Sequence, residues 1–125
     1  YQFSDLFARV DGQSSFSVQL DLATGESVQW LRSQGPSKVA ASFVMRLFHD
    51  ARVQKAPSPR QLSGVQQRFP DTVITVLCSP GERLSHHDQD VGSYRYCIVN
   101  MAANSKQELH AHYDQVRVLL PFEFV

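Results

Sequence analysis

Residues 37–53 read SKVAASFVMRLFHDARV, and the fold turns on whether this stretch coils or extends. Ala40, Val44, Leu47 and Ala51 recur at i, i+4, i+7 and i+11, and Phe43 and Phe48 widen that stripe. Lys38, Ser42, Arg46, His49 and Arg52 gather on the opposite side. This spacing predicts a helix with one face on a core. Gly35, Pro36 and Ser37 supply its start, with Ser37 as the cap. A second pattern is present in the same residues. Phe43, Met45, Leu47, Ala51 and Val53 alternate, as a half-buried strand would. The length of the periodic run favours the helix, whereas the strand would make the domain mostly β.

Toward the N-terminus, Phe3, Leu6, Phe7 and Val10 space out as the buried side of a short helix capped by Ser4. Residues 15–22, SFSVQLDL, then alternate strictly and predict a strand. Thr24 and Gly25 read as a turn, with Val28 to Leu31 as the return strand of a hairpin. Trp30, the only tryptophan, is expected to anchor the core.

Toward the C-terminus, Ser58 and Pro59 form a cap and first-turn pair for a short helix that Pro70 stops. Residues 71–78 (DTVITVLC) and 94–101 (YRYCIVNM) are nearly all apolar or β-branched and predict strands central to a sheet. They are expected to pair antiparallel around residues 79–93, a loop long enough to be functional. Residues 105–118 predict a second main helix, with Ser105 and Glu108 as a capping box. Residues 122–125, FEFV, read as a last strand, placed at an edge.

These elements predict a single α+β domain over residues 1–125. Its form is a two-layer sandwich, a mainly antiparallel sheet with two main helices on one face. Counting residues 28–31 as the first strand gives β-α-β-β-α-β, the ferredoxin-like order. That order is shared by many functions and selects none of them. The length of 125 residues suits one domain. The chain opens at Tyr1 without a methionine or a signal-peptide pattern, which fits a piece of a longer protein. No apolar run approaches the ~20 residues of a membrane span, so no membrane is expected, and the expected location is cytoplasmic.

Net charge is zero but unevenly spread. Arg32, Lys38, Arg46, Arg52, Lys55, Arg60 and Arg68 fall in the middle of the chain with only Asp50 against them, and the flanking segments are acidic. A basic helix face made of Lys38, Arg46, His49, Arg52, Lys55 and Arg60 would suit an acidic partner. The competing expectation is pairing with carboxylates of the flanks.

Three constellations bear on chemistry. His86, His87, Asp88 and Asp90, with Glu82 nearby, combine imidazole and carboxylate as a divalent metal would require. Adjacent loop side chains seldom converge on one ion, so a solvated loop competes with that reading. His110 and His112 are two apart on a helix and face different ways. Cys78 and Cys97 fall opposite each other if the strands pair about His87 and Asp88. They would be a cross-strand disulfide in an oxidising compartment or two small buried residues in the cytosol. There is no Gly-rich phosphate loop, no G-x-S-x-G and no H-E-x-x-H.

The expected function is therefore a non-catalytic, regulatory interaction or assembly module without a cofactor. It would bind another protein or itself, with FEFV available to extend a neighbouring sheet. The alternatives are nucleic-acid binding through the basic helix face and a small metal-dependent enzyme built on the His86–Asp90 loop.

Overall fold

The computed structural model describes residues 2–87 and 89–125. Its elements are α1 (Gln2–Asp11), α2 (Ser15–Thr24), β1 (Val39–Leu47), β2 (Val53–Lys55), α3 (Pro59–Arg68), β3 (Val73–Val76), β4 (Tyr94–Ala103), α4 (Lys106–Leu119) and β5 (Glu123–Phe124). The sheet runs β1-β4-β3, antiparallel throughout, and β2 and β5 form a separate two-stranded ribbon. The fold is thus α+β with a mainly antiparallel sheet and two helices, α3 and α4, on one face.

Residues 37–53 are extended, which corrects the helix expected there. Val39 to Leu47 pair with β4 along their whole length, and residues 48–52 turn the chain into β2. The reason is contact on both faces, although Met45 alone in β1 is buried. Met45, Cys97, Val99, Met101 and Ala103 share a core with Val65 of α3 and Leu109 and Val116 of α4, packed against Val39, Ala41 and Phe43. On the reverse face Ala40 lies beneath Leu6, Phe7 and Val10 of α1. A strand covered on both sides carries apolar residues at almost every position. Such a run satisfies a 3.6-residue period as readily as a two-residue one.

The N-terminal hairpin is likewise replaced by helices. Residues 15–24 form α2, with Ser14 accepting from the Ser17 N–H and Gly25 closing the C-terminus at φ 78°. Thr24 and Gly25 thus end a helix. Residues 28–31 are not a strand. Trp30 is no core anchor: it lies at the surface, edge-on to Phe7 at 5.7 Å, and donates to Asp11 at 3.2 Å. The helix expected at the N-terminus is present as α1.

Locally capped elements form where expected. Ser58 accepts from the Gln61 N–H and the Gln61 side chain accepts from the Ser58 N–H, a full capping box with Pro59 in the first turn. Ser105 caps α4 by accepting from the Glu108 N–H, while the Glu108 carboxylate accepts from Asn104 rather than Ser105. From β1 onward the order is β1-β2-α3-β3-β4-α4-β5, which departs from β-α-β-β-α-β by the extra strand β2, and β5 pairs with β2 instead of joining the three-stranded sheet.

FEFV supplies β5, which pairs with β2 of its own chain. A second core lies here, made of Val53, Cys78 and Leu84 with Phe122 and Phe124 around them. Residues 32–37 return from α2 across the end of α1. The Gly35 N–H donates to the Val10 carbonyl at 2.8 Å. A Cβ on Gly35 would lie 2.3 Å from the Arg9 carbonyl oxygen, so only glycine permits this approach.

Candidate functional site

The N-terminal helices carry the most conspicuous surface. α1 is tied down at several points. Arg9 pairs with Asp5 at 3.0 Å and donates to the Asp71 carbonyl, and Asn100 of β4 donates to Asp5 at 3.3 Å. The Asp11 carboxylate at its end accepts from Trp30 and from the Ser33 N–H. Between these anchors the chain projects outward as α2. None of the residues of α2 is buried. Phe16 is 52% exposed, Leu20 65% and Leu22 64%, and Phe3 of α1 and Leu31 beyond α2 are exposed as well. Leaving so many large apolar side chains in water forgoes roughly 1.5–3 kcal/mol for each that could be fully buried. The strict alternation in residues 15–22 predicts one buried face of a strand and so hides this surface from the sequence.

The residues expected to form a basic helix face are dispersed. Lys38 precedes β1 and is exposed. Arg46 lies in β1 and donates to Ser93 at 2.9 Å. His49 is in the turn after it, and the Arg52 backbone bonds both ways with Val125. Lys55 pairs with Glu123 at 3.0 Å, and Arg60 sits in the first turn of α3. No helix joins them, because residues 37–53 are extended.

The loop at residues 79–93 is packed rather than free. Leu84 is wholly buried, and the Leu84 N–H donates to the Ala51 carbonyl at 3.0 Å. Asp50 fastens the loop, accepting from Arg83 at 2.8 Å and from the Ser85 amide and hydroxyl. Desolvation raises the Asp50 pKa, but these hydrogen bonds outweigh it and hold the carboxyl below its ordinary value. Of the expected metal set, His86 is exposed on a 3-10 turn. His87 meets Glu82 at 3.1 Å, and Asp90 approaches Arg95 at 4.0 Å. Asp88 lies outside the described residues. Among the described residues no three such side chains come together as a metal group.

Cys78 and Cys97 are not opposite each other. The register sets Val76 across from Cys97, so Cys78 lies two residues further along. Both thiols are free and buried. Burial, with the Glu82 charge second, pushes Cys78 up to about 11. Burial, with Cys78 second, pushes Cys97 up to about 12. Neither is a thiolate at neutral pH, and so neither is primed as a nucleophile.

Comparison with protein-family models, curated proteins and solved structures finds no match for the chain. Among the described residues no helix is long and apolar enough to cross a membrane.

Proposed function

We propose that the domain is a non-catalytic interaction and assembly module whose α2 face docks on a second copy of the chain or on another protein. One observation carries this reading: a regular, capped helix that buries none of its residues and exposes Phe16 and Leu20, one turn apart on the same face. Exposed apolar clusters of this kind mark association surfaces. The anchoring of both ends of the excursion at Asp11 supports it, because the helix is presented from a fixed base. The acids Asp21 and Glu26 lie in and just beyond the same helix and favour a partner with a basic rim.

Light scattering on size-exclusion fractions tests the reading. Self-association that rises with concentration and is lost in Leu20→Glu is the expected result. A strict monomer at high concentration restricts the partner to a different protein. Association that persists unchanged in a Phe16→Glu/Leu20→Glu variant overturns the assignment to this face of α2.

A further inference from the structure

Arg46 of β1 and Arg95 of β4 stand directly opposite each other across the antiparallel pair. Side chains in that position share one face of the sheet, and like charges placed so are destabilising. A bulge creates the arrangement. Met45 faces Cys97 and Arg46 faces Arg95, so Tyr96 is left over in β4. An unbroken ladder would set Arg46 against Tyr96 and turn Arg95 to the other face. Bulges of this kind re-aim side chains, often beside functional sites.

The pair lies away from the covering helices. α3 and α4 pack on the face that carries Phe43 and Met45. Alternation places Arg46 on the reverse face, which meets α1 at Ala40, and about 20 Å further along the strand. The fold uses little of the two guanidinium groups. Arg46 donates to the Ser93 hydroxyl at 2.9 Å, and among the described residues no carboxylate pairs with it. The Arg95 Nε is buried and donates to nothing, because the Asp90 carboxylate stands 4.0 Å away, beyond hydrogen-bond reach. Ser93 is itself buried, and its hydroxyl accepts from Arg46, which leaves its hydrogen to donate. The base is held firmly. The Arg95 N–H donates to the Gln89 side chain at 2.9 Å, and the Gln89 amide donates back to the Arg95 carbonyl at 3.0 Å.

We infer that Arg46, Arg95 and Ser93 form a binding site for a phosphate group, carried as a monoester or as the free anion. A guanidinium fork meets phosphate oxygens in pairs through charge-assisted bonds. A carboxylate has one charge and fills one fork. A phosphate monoester nears two charges and offers three acceptor oxygens, enough for both forks and the hydroxyl. Such a ligand relieves the repulsion between the arginines and gives the Arg95 Nε its missing acceptor. Asp90, largely in solvent, competes for Arg95 and lowers the affinity. This site is separate from the α2 face, and either stands without the other.

The probes are inorganic phosphate and O-phosphoserine, titrated into the domain in low-salt chloride buffer at neutral pH. Heteronuclear NMR of the arginine Nε–H groups follows the titration. Saturable shifts of the Arg46 and Arg95 signals are expected, weakening as salt rises. Tighter binding of phosphoserine names the monoester as ligand, and tighter binding of phosphate names the free anion. Arg46→Gln and Arg95→Gln should each weaken binding roughly tenfold or more, the usual loss for a hydrogen bond to a charged group. Arg95→Lys keeps the charge but loses the fork, and should also weaken it. Asp90→Asn, a change at an exposed residue, should tighten binding, and this keeps the test open where a glutamine variant is unstable. The inference is overturned if neither probe saturates, if acetate binds as tightly as phosphate, or if the arginine variants bind like the parent. It is overturned equally if Asp90→Asn weakens binding, or if a single-stranded oligonucleotide displaces phosphoserine at equal phosphate concentration, since the occupant would then be a nucleic-acid diester.

Discussion

Phe43 of β1 and Tyr113 of α4 lie flat against each other, with ring centroids 3.8 Å apart and planes 7° from parallel. The stack fastens the sheet to its covering helix at the middle of β1. Aromatic pairs contribute about 0.5–1.5 kcal/mol beyond their buried area. Phe43→Leu and Tyr113→Leu combined in a double-mutant cycle should give a coupling of that size by urea denaturation. A coupling near zero would mean that the rings act only as buried surface.

Leu84 tests whether residues 79–93 belong to the core. It is completely buried beside Val53 and Cys78. Leu84→Ala should destabilise the domain by about 2–5 kcal/mol, the usual cost of such a cavity. Val91, fully exposed on the same loop, should tolerate alanine within about 0.5 kcal/mol. Equal, small effects at both positions would contradict a packed loop.

Gly35 tests the close approach of the chain to the end of α1. A methyl group at this position meets backbone rather than a movable side chain. Gly35→Ala should cost about 1–3 kcal/mol, as overpacking does. Thermal melts would show it, and an unchanged midpoint would mean that the two segments separate easily.

The two thiols predict an alkaline loss of stability. Their folded pKa values, about 11 for Cys78 and about 12 for Cys97, lie above the ordinary 9.0. Above pH 9 the unfolded chain therefore releases thiol protons that the folded chain keeps. Stability is full below that point and declines as pH rises toward 11. Tyr96 and Tyr113, both raised chiefly by burial, act in the same direction from about pH 10. Comparing the pH slope of melting for the parent with that of Cys97→Ala isolates the thiol contribution; identical slopes would refute it. Neither cysteine should react with iodoacetamide at neutral pH while the protein is folded.

Elements specified by short-range chemistry were legible. Ser58 with Pro59 and Ser105 with Glu108 set the starts of α3 and α4 through bonds spanning three residues. The β-branched run at residues 71–78 and the apolar run at 94–101 gave β3 and β4 and their antiparallel pairing. The precise register did not follow from centring the loop, because the chain at residues 79–93 folds onto Ala51 and Val53 instead of closing symmetrically. The expected metal residues were legible only as a local cluster; Glu82 and Arg95 set where the His87 and Asp90 side chains go.

The sequence by itself determined the α+β class, the capped helices α3 and α4, and the antiparallel pair β3 and β4, of which β4 alone is central while β3, expected there too, lies at the edge. Tertiary structure decided residues 37–53, while local caps that the alternation masks decided residues 15–24. The first stretch is extended because both faces of β1 make contact, with α3 and α4 on one side and α1 on the other, and a strand with apolar neighbours on both sides leaves no single period to read. The second coils although its apolar residues alternate, because α2 buries none of them: its caps at Ser14 and Gly25 fix the helix, and no core demands that its apolar side chains share a face.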